Sequence, residues 1–516
     1  MKLKKEVIPV LIAVIFCCIV LFTLDDYGIT WDEGTYFEAG SSYFEWLKNP
    51  SIETIDRYWS FEALGNEHPP FSPLLGETTR YLFQKKLNWL NRISSFRAST
   101  LLFTLFLTLI LFLFVSKLYG RKIAFIVSLS LFFLPRMFFH SHLAALDYPA
   151  AAMWFLVVYA YWRGIKDQKW IFYSSILLGF ALLTKLNNYF IYIPILFYWI
   201  LCFNQKLKWL IFRKRRLSFQ ENFRMFSKII PMFIIPPIVF TAFWPYLWKS
   251  PISRILEYPQ FSLGLIRVQP VYYFGNVLKE LPWHYPFVLT LITIPLVTLI
   301  PFFIGIFRIP VKPFRNTNIF ILFNALLPLF LIALPIVPKY DGVRLFLPAF
   351  PFICIVSGLG IKYIFDLAKR FKLEKIVFVV YILLFSISTY YSIVKYYPYH
   401  SSYFNEVIGG VDGAAKRGFE VEYWGNAFIG TLPFLNEHSV STFWAYNHPA
   451  RYGYYNEIGL LKRNISIIEK DDSDYLILLI RKGHFDREMW GYYRNETPVF
   501  SVRVSKTDLV NIYKLK

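Results

Sequence analysis

Cysteine is scarce in this chain. The 516 residues contain four, Cys17, Cys18, Cys202 and Cys354, and each falls inside an apolar run. No pair is left for an external disulfide framework, so any exported part must fold without staples. Charge is also sparse, at 17% of residues, and the acidic sign is the scarcer one: 34 Asp and Glu against 55 Lys and Arg. The long apolar runs are nearly free of ionisable residues, which disfavours a transporter, because transport paths place such groups deep inside the spans. The chain shows neither the repeated halves that transporters carry nor a low-complexity segment. Its C-terminal part contains no Gly-rich loop of the kind that cradles phosphate.

What remains is a chain that is 56% hydrophobic and 20% aromatic. Apolar runs of membrane length fall at roughly 7–24, 96–115, 123–139, 147–163, 170–184, 189–203, 229–248, 286–307, 319–337, 345–363 and 376–394. The sequence therefore predicts a polytopic α-helical membrane protein of about eleven transmembrane helices. The net charge of +21 sorts with this topology. Lys and Arg crowd every second connection: Lys2 to Lys5, Lys117 to Lys122, Arg163 to Lys169, Lys206 to Lys228, Arg308 to Arg315 and Lys362 to Lys375. That is the positive-inside pattern, and it accounts for the basic excess without a nucleic-acid partner. The N-terminal run resembles a signal peptide, but Phe22, Thr23 and Leu24 offer no small-residue cleavage site, so it reads as an uncleaved first span.

With the N-terminus in the cytoplasm, residues 1–394 form the membrane domain and residues 395–516 lie outside. A long external loop covers 25–95. Within it, the aromatics of Tyr36 to Leu47 recur near helical spacing, which predicts an amphipathic helix lying on the bilayer surface. Beyond residue 430 the composition changes. Short alternating runs at 440–446, 464–469, 475–480, 499–504 and 509–514 read as strands, and 427–436 and 486–494 read as helices, giving a small external C-terminal α/β domain.

Four polar clusters fall on the external side: Asp32-Glu33, Asn66 to Pro73, His140 to Pro149, and Lys339 to Arg344. Each has a bland reading taken alone. Asp147, before Tyr148-Pro149, suits a helix N-terminus, and Arg344 suits an interfacial anchor that snorkels. Their convergence on one face of the membrane favours a shared site.

The layout resembles the GT-C class of membrane glycosyltransferases, in particular the protein mannosyltransferase and lipid A aminoarabinose transferase superfamily. Members carry an Asp-Glu pair in the first external loop, a Glu-x-Pro-Pro element later in that loop, and an Asp before the fourth helix. Asp32-Glu33, Glu67-His68-Pro69-Pro70 and Asp147 match these in order. Tyr340 to Pro348, Tyr403 to Glu406 and Tyr423-Trp424-Gly425 resemble bacterial members grouped as lipid-carrier-dependent glycosyltransferases.

The resemblance implies an inverting enzyme that takes a sugar from a polyprenyl-phosphate donor and gives it to an acceptor hydroxyl on a protein, lipid or glycan. The phosphate leaving group is already weakly basic, so such a reaction needs a base and a receptor for negative charge rather than a strong acid. Asp32 is the expected base, with Glu33 and Asp147 as further catalytic carboxylates. Arg344 and Lys185 are expected to receive the lipid phosphate, Arg344 first because its fork suits phosphate. Glu67, His68 and Asp341 are expected around the substrate. Some members hold zinc through the Glu of the Glu-x-Pro-Pro element and a later His, which maps a divalent metal (Zn, or Mg or Mn) onto Glu67 and His284; others need none. The competing readings are an oligosaccharide ligase or oligosaccharyltransferase, and a non-enzymatic transporter of lipid-linked sugars. The expected location is a bacterial inner membrane, among its lipids, with the site facing the periplasm.

Overall fold

The computed structural model describes residues 3–60, 64, 68–211, 218–264, 269–310, 314–438, 440–446, 449–462 and 465–515. Helix forms along each of the eleven expected apolar runs. Among the described residues, six helices are long and apolar enough to cross a membrane: Arg92–Tyr119, Leu186–Lys206, Phe219–Ala242, Arg315–Ala333, Arg344–Arg370 and Glu374–Val394. The pair Arg121–Phe132 and Pro135–Ser141 makes a seventh if it is taken as one span bent by 69°. The helices Leu3–Phe22, Asp147–Gly164, Gln168–Thr184 and the broken pair Tyr285–Thr293 and Leu296–Arg308 fall short of that measure. The chain is thus a polytopic helical membrane protein, with six or seven helices that pass on length and apolarity alone against the eleven read from hydropathy.

Proline explains both breaks. A residue before proline is pushed out of the helical region, and proline itself cannot donate to the preceding turn. Leu134 accordingly takes an extended ψ of 117° ahead of Pro135, and Ile294 takes 129° ahead of Pro295. The first break turns the chain sharply, so that residues 140–147 are delivered against the first external loop.

The aromatics of the loop helix Glu33–Lys48 correct the bilayer-surface reading. Tyr43 and Trp46 face the protein, packed with Ile55, Trp59, Leu183, Trp244 and Leu247, while Tyr36 and Phe37 join the main core. The 3.6-residue period located an apolar face correctly, but the face covers neighbouring helices and not lipid.

A hairpin of β1 (Val271–Tyr273) and β2 (Asn276–Leu278) turns at Phe274-Gly275, where Gly275 has φ +81°. The C-terminal segment folds as a five-stranded sheet in the order β4-β3-β5-β7-β6. Its strands are β3 (Thr442–Ala445), β4 (Ser466–Ile467), β5 (Tyr475–Leu479), β6 (Phe500–Val504) and β7 (Thr507–Lys514), close to the five alternating runs. β3, β4 and β5 run parallel, and β7 pairs antiparallel with β5 and β6. Helix Arg487–Asn495 lies where 486–494 was expected, whereas 427–436 is split between a 3₁₀ turn and Leu432–Glu437.

Two glycines set the closest helix contact. A Cβ on Gly360 would lie 2.0 Å from the Pro301 carbonyl oxygen, and one on Gly305 would lie 2.1 Å from that of Val356. Small residues of this kind let two membrane helices approach backbone to backbone. Gly360→Leu should force them apart and lower the melting temperature in detergent by several degrees, consistent with about 1–3 kcal/mol for overpacking. Gly453→Ala, where no atom lies within 4 Å of the added carbon, should melt like wild type.

Candidate functional site

The adjacent acids Asp32 and Glu33 point in different directions. Glu33 is fully buried and paired with fully buried Arg97, whose Nε and Nη2 donate to it at 2.7 and 2.8 Å. Its remaining acceptor positions take the backbone N–H of Ala144 at 2.9 Å and the N–H and hydroxyl of Thr30 at 2.9 and 3.1 Å. Arg97 also donates to the carbonyls of Leu24, Tyr27 and Gly28. Glu33 was expected among the catalytic carboxylates, and here its acceptor positions are all engaged within the protein. It ties the first loop to the 140–147 loop and leaves Asp32, with its side chain 30% exposed, as the acid that faces out. Arg97 was missed from sequence, although a lone ionisable residue at the start of an apolar run was the available signal.

Arg344 is the hub that Asp32 meets. Its Nη1 donates to Asp32 at 2.5 Å and lies 3.9 Å from Asp147, while Nη2 lies 3.0 Å from Asp341. The guanidinium is also flanked by the rings of Tyr340 and Trp424, at 5.1 and 4.9 Å from the centroids. Trp424 is held in place from below: the carboxylate of Glu422 accepts the N–H groups of Tyr423, Trp424 and Gly425 in succession. A guanidinium confined by three carboxylates and two rings has little freedom to snorkel, so the membrane-anchor reading of Arg344 does not fit its surroundings.

Asp147 is the first residue of helix Asp147–Gly164 and makes no side-chain cap. It accepts instead from Lys185 at 2.6 Å, whose backbone closes the C-terminus of helix Gln168–Thr184. Asp147, Lys185 and Arg344 form the polar end of a cavity of about 490 Å³, open mouth included. Asn187 and Asn188 join the polar lining, and the other walls are apolar, from Ala150, Trp154, Phe190, Pro328, Leu331, Leu345 and others. His68 lies in the field of the same groups, and burial together with nearby Lys185 lowers its pKa to about 3, so it stays neutral at physiological pH. Expected residues Asp32, Asp147, Lys185, Asp341, Arg344 and His68 thus come together, from five separate stretches of chain.

Glu67 lies outside the described residues. His284 places its Nδ1 3.0 Å from the Tyr273 hydroxyl. His142 engages the Phe138 carbonyl and the Thr23 hydroxyl through its two nitrogens, at 2.6 and 2.8 Å. Among the described residues no group of three or more His, Cys, Asp and Glu is arranged to hold a metal ion. His140 is fully buried against Trp424, with neither ring nitrogen hydrogen-bonded.

The C-terminal segment also reaches the site, which nothing in the sequence indicated. Arg481, just past β5, donates to Asp341 at 2.8 Å and stacks on Trp31 with its guanidinium 4.5 Å from the ring centroid. Arg451 donates to the Trp31 carbonyl. Glu420 sits 4.0 Å from Arg481 and accepts the Gly483 N–H. Burial raises its carboxyl from the usual 4.5 to about 7, against the opposing pull of Arg481, and the nearby charge of Asp341 adds to the rise. The folded protein therefore favours protonated Glu420. That contribution to stability is fully present below pH 4.5 and is lost as pH rises through about 7. Melting temperature should fall across this window, and Glu420→Gln should flatten the fall.

Residues 67–217 match the model of the dolichyl-phosphate-mannose-protein mannosyltransferase family. Two solved structures superpose along almost the whole chain, both of ArnT from Cupriavidus metallidurans: one bound to undecaprenyl phosphate (TM-score 0.52) and one in the apo state (TM-score 0.54). Each is 13% identical to this chain, with 99% of this chain and 98% of that chain covered. A search of curated proteins returned no match. The matched segment contains His68-Pro69-Pro70, Asp147 and Lys185, and the shared fold brings them to Asp32 and Arg344. The resemblance read in the sequence is thereby borne out at the level of fold: residues 67–217 match the mannosyltransferase family model, and the chain as a whole has the fold seen in ArnT.

Proposed function

We propose that this protein is an inverting glycosyltransferase that moves a sugar from a polyprenyl-phosphate carrier to an acceptor hydroxyl at the external face of the membrane. The observation that carries this reading is the cavity: two cations, Arg344 and Lys185, at its polar end and apolar walls along its length. A prenyl chain gains by lying against the walls, while its phosphate needs hydrogen-bonding cations where it leaves the apolar region. Asp32, in contact with Arg344, then lies beside the bond that breaks.

The reaction follows from these positions. The acceptor oxygen attacks the anomeric carbon from the face opposite the phosphate, and Asp32 takes the hydroxyl proton. The bond from anomeric carbon to phosphate oxygen breaks, its electron pair stays on the phosphate, and Arg344 and Lys185 meet the added charge. Donors already aimed where charge develops lower the barrier without reorganising at that moment. Asp147 touches Lys185 at 2.6 Å and Arg344 at 3.9 Å, so it orients both cations. Glu33 and Arg97 hold the backbone on which Asp32 rides.

With purified protein and undecaprenyl-phosphate-linked sugars, Asp32→Asn should keep donor binding and lose about 10²–10⁴-fold in turnover, the usual range for a positioned base. Retention of more than about a tenth of wild-type turnover would exclude that role.

The topology proposed with this function has eleven spans, a cytoplasmic N-terminus and an external C-terminal α/β domain from residue 395. It is supported by the alternation of basic connections and by helix along every expected run. A cysteine placed at Lys506, in the β6–β7 turn, should react with an impermeant maleimide from outside intact spheroplasts. Reaction only after the cytoplasmic side is opened would overturn both the topology and the shared compartment of the acids.

A further inference from the structure

We propose that Arg481, contributed by the C-terminal sheet, is a positioning residue for donor binding that acts on Arg344 through Asp341; the inference rests on the reading of the cavity as a lipid-phosphate site. The three groups form one line. Arg481 Nη2 donates to Asp341 Oδ1 at 2.8 Å, and Arg344 Nη2 lies 3.0 Å from Asp341 Oδ2. One carboxylate is thus shared, an oxygen each, by two guanidinium groups. All three side chains are 10% exposed or less, so solvent screens them weakly.

The turn that presents Asp341 has little slack. Asp341 itself sits at φ +53° and Gly342 at +65°, where an added Cβ would meet the Tyr423 ring at 2.8 Å. Its orientation is therefore set by the two ion pairs and by the ring beneath it. On the other side, Arg481 is aimed by the end of β5: the Ile480 N–H donates to Leu509 at 2.8 Å, and the Trp31 ring covers the guanidinium.

Charge gives the direction of the effect. Asp32, Asp147 and Asp341 face Arg344, Lys185 and Arg481, with Glu420 4.0 Å from Arg481 and Arg451 in the field of Asp32. Without Arg481, Asp341 turns its full charge on Arg344, which then has less positive potential to offer an incoming phosphate. Among the described residues, the direct polar link from Arg481 to Arg344 is Asp341, while its stacking on Trp31 lies beside Asp32, so the double variants decide whether its influence passes along this line.

The test measures affinity for undecaprenyl phosphate by the full chain in detergent micelles. It uses wild type, Arg344→Ala, Arg481→Met, Arg481→Lys and both Arg481 variants combined with Arg344→Ala. Arg481→Met should weaken binding roughly 2- to 30-fold, the usual span for coupling through a packed network. Arg481→Lys, which keeps the charge and loses the fork, should lose less. In the Arg344→Ala background neither change should weaken binding further, which a merely structural staple does not predict. Equal affinity for wild type and both Arg481 variants overturns the proposal while leaving the cavity reading intact. An equal loss in both backgrounds also overturns it, by assigning Arg481 to general stability. Should Arg481→Met fail to fold, the Lys pair decides by the same criterion. If Arg344→Ala binds as wild type, the cavity reading itself fails and this inference with it.

Discussion

The site depends on one guanidinium in the company of three carboxylates. Arg344 meets Asp32, Asp341 and Asp147 within 4 Å, in surroundings that leave its side chain 10% exposed. A charge taken this far from water must be paired and hydrogen-bonded, or the structure around it is lost. The surrounding elements answer that need in turn. Lys185 compensates Asp147, Arg481 compensates Asp341, and the rings of Tyr340 and Trp424 close the two faces.

The balance of charges has a consequence for chemistry. If the cavity holds a lipid phosphate as proposed, that phosphate competes with one of these carboxylates for Arg344. Asp32 is the loosest of the three, with its side chain 30% exposed against 3% for Asp147 and 7% for Asp341. A phosphate arriving on Arg344 would then displace Asp32 from its ion pair first. On the proposed mechanism the same cation pairs with Asp32 before the donor binds and meets the leaving group afterwards.

A second buried pair does a different job nearby. Glu33 and Arg97 are completely enclosed and spend their hydrogen-bonding positions on loop backbone, on the Thr30 hydroxyl and on each other. Their pairing orders Leu24 to Thr30 and the 140–147 loop together, so that the residue beside Glu33 projects toward Arg344. Two neighbouring acids thus have opposite surroundings, one enclosed in the scaffold and one facing Arg344 at the edge of the cavity.

The sequence by itself determined the apolar runs, their helical state and the alternation that predicts the C-terminal strands, because each depends on neighbours within a few residues; the breaks at Pro135 and Pro295 inside two of those runs were seen only in the fold. It also brought Asp32, Asp147, Lys185 and Arg344 to one face, because a membrane sorts loops into two compartments by charge. It did not tell Asp32 from Glu33, since both are acids in the same loop and differ only in what lies across from them. Nor did it reveal Arg97 or Arg481, or the face that Tyr43 and Trp46 pack against. Periodicity shows that a helix has an apolar side but not whether lipid or protein covers it. Ion pairs spanning 312 residues, as between Arg344 and Asp32, or 140, as between Arg481 and Asp341, exist only once the chain is folded. Burial makes such pairs obligatory, and burial is a property of the tertiary structure alone.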